Sequence, residues 1–163
     1  MTKPIKSLLL AAGLGTRLRP LTYKIPKCLV EIDNKPLLGD WLDKLEKINT
    51  ESVLINTHYL ADKVLAFLHT QRERKIKIHN FYEEKLLGTA GTLIANYKFF
   101  QNSTGIIIHA DNFSKLNLFD LIKAHNERPK NCLLTMLTFR TKNPQSCGIL
   151  KINKQKIVNG FYE

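Results

Sequence analysis

Residues 8–32 read LLLAAGLGTRLRPLTYKIPKCLVEI. The apolar run Ile5 to Leu10 empties through Ala11 and Ala12 into two glycines one residue apart, Gly13 and Gly15. A short apolar run ending in Ala-Ala-Gly predicts a buried strand entering a turn. Glycine lets backbone amides come close to an anion and tolerates positive φ. Arg17 and Lys27 then supply a rigid and a mobile cation for phosphate oxygens. By composition this is a cradle for a triphosphate. Two glycines alone equally describe an ordinary tight turn. The stretch is not a P-loop, since Thr16-Arg17 stands where Lys-Ser/Thr is needed, and Leu18 replaces the third glycine of the dinucleotide fingerprint.

Outward from this loop the pattern alternates. Residues 11–26, with Pro20 and Pro26, are expected to hold at most one helical turn. Leu29 to Ile32 reads as a short strand, and Leu38, Trp41, Leu42, Leu45 and Ile48 give an amphipathic helix over 37–49. Ser52 to Thr57 is a strand, 60–71 a second helix, and Ile76 to Tyr82 a weakly alternating strand. Gly88 to Gly91 predicts a turn, followed by a helix from about Thr92 to Phe99. Gly105 to His109 reads as a buried strand, and a fourth helix around Leu118 to His125 ends before Pro129. Cys132 to Phe139 reads as a longer strand, and Ile149–Ile152 with Ile157–Phe161 as a hairpin. Strands alternating with helices predict an α/β domain with a mostly parallel central sheet. The loops after Leu10, Thr57 and His109 then share one sheet edge, where such folds bind ligands.

Composition bounds the function. At 163 residues, 44% hydrophobic and 24% charged, the chain suits one globular core. It excludes a disordered tail, a collagen-like repeat and a disulfide miniprotein. No apolar stretch is long enough for a membrane helix, and no secretory leader is visible. Three cysteines without C-x-x-C spacing fit a reduced, cytoplasmic protein. The net charge of +11 is uneven: residues 1–30 carry six cations and no acid, residues 31–127 carry 12 cations and 13 acids, and residues 128–163 carry seven cations and one acid. A basic field suits a nucleotide, a sugar phosphate or a nucleic acid. No helix-turn-helix, RNP-type or zinc pattern supports nucleic acid, and neither nucleic acid nor membrane is expected as a partner.

The 10–29 region resembles the N-terminal signature of the sugar-1-phosphate nucleotidylyltransferases, or NDP-sugar pyrophosphorylases. Leu10 to Thr22 and Pro26 to Leu29 match it nearly residue by residue, and the mannose-1-phosphate guanylyltransferases with their bacterial relatives are the most similar branch. Cys28 departs from the usual proline. Leu87 to Gly91 (LGTAG) is similar to the family segment that contacts base and ribose, His109-Ala110-Asp111-Asn112 to the metal-binding segment, and Gly160 to Glu163 to the start of a segment bordering the sugar phosphate. Ala110 stands where glycine is usual.

The resemblance implies a three-layer α/β/α Rossmann-like nucleotidyltransferase fold. It implies one domain over 1–163, the nucleotide-binding front of the family's domain, with the acceptor-side C-terminal part absent. It implies that a nucleoside triphosphate and a sugar 1-phosphate, by branch GTP and mannose 1-phosphate, give an NDP-sugar and pyrophosphate. Arg17 and Lys27 are the catalytic cations. Leu10, Ala11, Ala12, Gly13, Gly15, Thr16 and Arg17 hold the phosphates, Gly88, Thr89 and Ala90 the nucleoside, Asp111 a Mg²⁺ ion, and Glu163 borders the sugar phosphate. Two other readings stand beside this one: a nucleotide-binding domain without full catalysis, and, more distantly, a basic nucleic-acid-binding domain. An exposed sheet edge leaves room for a homo-oligomer. The five histidines, Cys147 and Trp41 are expected to be packing or surface residues; Glu83 or Glu84, just before LGTAG, could face the ligand, with surface exposure the preferred reading.

Overall fold

In a computed structural model describing residues 3–162, the chain opens with β1 (Ile5–Leu10), β2 (Glu31–Ile32), β3 (Lys35–Pro36) and α1 (Leu37–Lys47). It continues through β4 (Ser52–Thr57), α2 (Ala61–His69), β5 (Lys77–Tyr82), α3 (Gly88–Ala95) and β6 (Thr104–His109). Then come α4 (Leu118–Asn126), β7 (Ile149–Ile152) and β8 (Val158–Tyr162). Two compact units divide the chain, residues 1–119 and 120–163.

In the first unit, β1, β4, β5 and β6 form one parallel sheet in the order β5-β4-β1-β6. Every residue of β4 is buried, as are Ser7, Leu8 and Leu9 of β1. Successive strand side chains point to opposite faces, so such runs mean that both faces are covered. Parallel neighbours cannot be joined by tight turns. The chain therefore crosses from β1 to β4 through α1, from β4 to β5 through α2, and from β5 back past β1 to β6 through α3. Right-handed crossovers put α1 and α2 on one face and α3 on the other. A Cβ added to Gly39 of α1 would lie 3.4 Å from the Phe67 ring of α2, so these two helices meet in one layer. Leu38, Trp41, Leu42 and Leu45 form the buried stripe of α1. The architecture is α/β and Rossmann-like, with helices flanking a parallel sheet.

Several expectations need correction. Residues 11–26 hold two 3-10 turns, Thr16–Leu18 and Leu21–Tyr23, where one at most was expected, and a third, Lys27–Leu29, follows them. The strand expected at 29–32 shrinks to Glu31–Ile32, paired with Lys35–Pro36. Helix α3 begins at Gly88 itself, and Tyr97–Phe100 forms a separate 3-10 turn. In β6, Ile106 and Ile108 are buried but Ile107 is 39% exposed, because the strand closes the sheet's edge and one face stays open.

In the second unit the hairpin forms as expected, with Ile149 opposite Tyr162 and Leu150 opposite Phe161. Asn153 shapes its turn by accepting the Gln155 and Ile157 amides. Residues 132–139 form no strand: among the described residues no ladder partner lies beside them, and Leu133, Leu134 and Phe139 are exposed. Among the described residues no helix is long and apolar enough to cross a membrane.

Leu8 has no exposed surface, whereas Ile107 is partly open to solvent. Leu8→Ala is expected to cost about 3 kcal/mol in urea unfolding, and Ile107→Ala less than half of that.

Candidate functional site

Beyond the carboxyl ends of β1 and β6 lies a hollow of about 240 Å³. β1 is the strand from which the chain leaves in one direction to β4 and to which it later returns on the other side with β6, so the hollow sits at the topological switch point. Leu10, Ala11, Ala12 and Gly13 line it from the loop after β1, Gly88 and Thr89 from the start of α3, and His109 and Asp111 from the end of β6. Lys27 and Cys28 come from the third 3-10 turn, and Asn56, Glu83 and Leu86 complete the wall. Of the expected site residues, Gly15, Thr16, Arg17 and Ala90 lie outside this wall. Arg17 is exposed on the Thr16–Leu18 turn. Glu163 lies outside the described residues. A larger hollow of about 370 Å³ lies along α2 and β5 and contains none of them.

The glycine loop is built by Thr22. Gly15 has φ +64°, its carbonyl accepts the Leu18 amide at 3.0 Å and the Thr22 hydroxyl at 2.7 Å, and Thr22 is fully buried. The Thr22 carbonyl in turn accepts the Tyr59 hydroxyl at 2.9 Å. A Cβ on Gly15 would lie 2.9 Å from Thr22 Cγ2, so only glycine fits both the angle and the space. Gly13 does not use positive φ; a Cβ there would meet nothing within 4 Å, which leaves the backbone facing open space.

Lys27 Nζ donates to Asp111 Oδ2 at 2.6 Å across 84 residues of sequence, with both side chains less than one-third exposed. The loop bearing Asp111 is held from α1: Trp41 Nε1 donates to the Asn112 carbonyl at 2.8 Å, and Lys44 donates to the Ser114 carbonyl. Trp41, expected to be plain core, is thus core and tether at once. Cys28, beside Lys27, is 1% exposed; burial, and more weakly the Asp111 charge, push its thiol up to about 12. It stays a neutral thiol at physiological pH, unsuited to nucleophilic work.

Glu83 is not at the surface, the preferred expectation, but 2% exposed and in the wall of the hollow, the alternative one. Its Oε1 accepts Asn56 Nδ2 at 2.9 Å and the Thr92 hydroxyl at 2.5 Å, and its Oε2 accepts the Leu87 amide at 3.0 Å. Asn56 Oδ1 accepts the Ala11 amide at 2.7 Å. Burial raises the carboxyl's pKa, but the hydrogen bonds from Thr92, Asn56 and Leu87, with a smaller contribution from His58, outweigh it and hold the group below the ordinary glutamate value. The sequence signal was position just before LGTAG, which Glu83 shares with Glu84 and which does not tell the two apart.

A family model described as nucleotidyl transferase matches residues 6–163. This chain belongs to the nucleotidyl transferase family. Mannose-1-phosphate guanyltransferase beta-B of Xenopus laevis is 31% identical over 149 residues, covering 90% of this chain and 41% of that protein. A UTP–glucose-1-phosphate uridylyltransferase of Synechocystis is 29% identical, covering 82% of this chain and 37% of that protein. The chain therefore spans about two fifths of the length of the curated relatives it matches. The crystal structure of HddC from Yersinia pseudotuberculosis complexed with GMP-PN shares the fold, with a TM-score of 0.72 at 24% identity over 97% of this chain and 68% of that one.

Three outcomes follow for this member of the nucleotidyl transferase family. Gly15→Ala meets strain and a close contact together, and is expected to lower stability by about 2 kcal/mol. Gly88, also at positive φ (+71°), has open space around it, and its alanine variant is expected to cost about 1 kcal/mol, both read by denaturant midpoint. The lowered Glu83 pKa stabilises the fold fully above the unfolded-state value and is lost as pH falls through the folded one. The stability gap between the native chain and Glu83→Gln is therefore expected to be full at neutral pH and to shrink with acidification. A gap that widens in acid contradicts the assignment.

Proposed function

We propose that the hollow binds a nucleoside triphosphate and that the protein transfers the nucleotidyl group to a sugar 1-phosphate, releasing pyrophosphate. GTP and mannose 1-phosphate are the substrate pair of this reading. The observation that carries it is the meeting of the Gly13 backbone, Lys27, Asp111 and the start of α3 around one hollow at the switch point. The guanyltransferase relative at 31% identity supports guanine, and the names of both relatives support a sugar 1-phosphate acceptor.

In the reaction an oxygen of the sugar phosphate attacks the α-phosphorus in line. The bond from that phosphorus to the oxygen bridging the β-phosphate breaks, and pyrophosphate leaves with the electron pair. A phosphate monoester's second pKa is about 6, so the nucleophile is already anionic and no general base is needed. The barrier is electrostatic, because two anions must meet and charge grows on the leaving group. Lys27 neutralises phosphate oxygens at the reacting centre; in the structure it is paired with Asp111, so the incoming phosphates must draw its ammonium away. Arg17, exposed on its turn, is assigned to the leaving pyrophosphate at the outer side of the loop. The loop from Leu10 to Thr16 approaches the phosphates with its backbone. Gly88, Thr89 and Ala90 open α3, where first-turn amides have no intrahelical partner and meet nucleoside oxygens.

Among the described residues no three His, Cys, Asp or Glu side chains form a metal cage. Asp111 fits magnesium as a single carboxylate, the usual arrangement where substrate phosphates supply the other oxygens. When bound, Mg²⁺ would supply charge neutralisation at those phosphates.

Melting shifts measured with GTP, UTP, dTTP, CTP and ATP, each with and without Mg²⁺, test the reading, with pyrophosphate release measured against several hexose 1-phosphates. The largest shift is expected with GTP and Mg²⁺. No shift with any nucleotide overturns the assignment, and a shift without pyrophosphate release leaves a nucleotide-holding domain. Arg17→Ala and Lys27→Ala are each expected to lower turnover by about a hundredfold or more, roughly 3 kcal/mol of barrier.

A further inference from the structure

Three buried polar side chains form one continuous path beneath the hollow. Asn56 is 3% exposed, Glu83 2% and Thr92 fully buried. The path starts at the Ala11 amide, in the loop after β1, and passes through Asn56 Oδ1 and Nδ2 to Glu83 Oε1. From there it divides: Thr92 donates to Oε1 and the Leu87 amide donates to Oε2. The Thr92 hydroxyl also lies 2.9 Å from the Gly88 carbonyl. Both carboxylate oxygens of Glu83 are thus taken by protein donors, so it stands in the wall without an oxygen free of protein partners for a ligand. What it connects are two pieces of backbone far apart in sequence, the turn after β1 and the first turn of α3.

We propose that Glu83 is a positioning residue that, with Asn56 and Thr92, sets the spacing between the phosphate-facing loop and the nucleoside-facing start of α3. The inference rests on the nucleotide reading above. A nucleoside triphosphate is one covalent ligand with two ends, and the binding energies of the ends add fully only when both half-sites are held at the ligand's own span. A fragment that touches only one half does not feel the spacing. A buried, multiply hydrogen-bonded carboxylate is a stiff spacer, because moving either loop leaves a charge underpaired away from water. Its carboxyl is also held ionised below the usual glutamate range, which keeps it an acceptor for all three donors.

The test compares Thr92→Val, which keeps the shape but loses the hydroxyl, Thr92→Ser, which keeps the hydroxyl, and Glu83→Gln. Calorimetry measures binding of GTP, inorganic tripolyphosphate and guanosine to each, and UTP with uridine replaces the guanine pair if the native chain prefers it. Thr92→Val and Glu83→Gln are expected to weaken the intact triphosphate by about tenfold or more while changing tripolyphosphate and nucleoside by less than about threefold. Thr92→Ser is expected to stay within about threefold of the native chain for all three ligands. Equal losses for the whole ligand and its fragments, or no loss in Thr92→Val, overturn the spacing role. If Glu83→Gln does not fold, the Thr92 pair decides alone. A native chain that binds no nucleoside triphosphate overturns the nucleotide reading and the spacing role with it, an outcome distinct from native binding that the variants leave unchanged.

Discussion

Parallel pairing of β1 with both β4 and β6 is the constraint on which the rest of the first unit depends. A parallel ladder cannot be closed by a hairpin, so each connection must run the length of the sheet and return. That requirement calls for α1, α2 and α3, and it collects the carboxyl ends of all four strands along one edge. Because β1 has one crossover on each side, the loops after β1 and β6 part there and leave a crevice between them. The hollow is a consequence of strand order before it is a consequence of any side chain.

Along that edge the chain replaces apolar burial with satisfied polar burial. Ala11 is 6% exposed and its amide has no ladder partner beyond the strand's end, so Asn56 accepts it. Asn56 then needs an acceptor for its own amide group, and Glu83 provides one. Each polar atom carried away from water calls for the next, since a buried donor or acceptor left unpaired costs about 1–3 kcal/mol. The same logic joins the buried Trp41 to the Asn112 carbonyl.

The basic N-terminal segment spends its charge in several places. Lys6 donates to the Phe99 carbonyl at 3.0 Å and lies over that ring, and Arg19 lies 5.0 Å from the Tyr23 ring. Of the six cations in residues 1–30, only Lys27 lines the hollow. Net charge therefore described the segment without locating its work.

The boundaries of β1 and β4, and the hairpin with its second strand displaced by one residue, could be read from the chain because each is a local apolar run ended by a turn residue, and the alternation of strand and helix already pointed to a parallel sheet. The 10–29 motif marked Lys27 and the glycine loop for the same reason: residue type and spacing along the backbone are local properties. Which strand neighbours which, the open face at Ile107 and the unpaired 132–139 segment depend on contacts between distant residues, and no local pattern contains them. Glu83 shows the difference most sharply. In sequence it is one of two adjacent acids before a glycine turn; only the packing of β4 against β5 and α3 removes it from water and gives its carboxylate three donors.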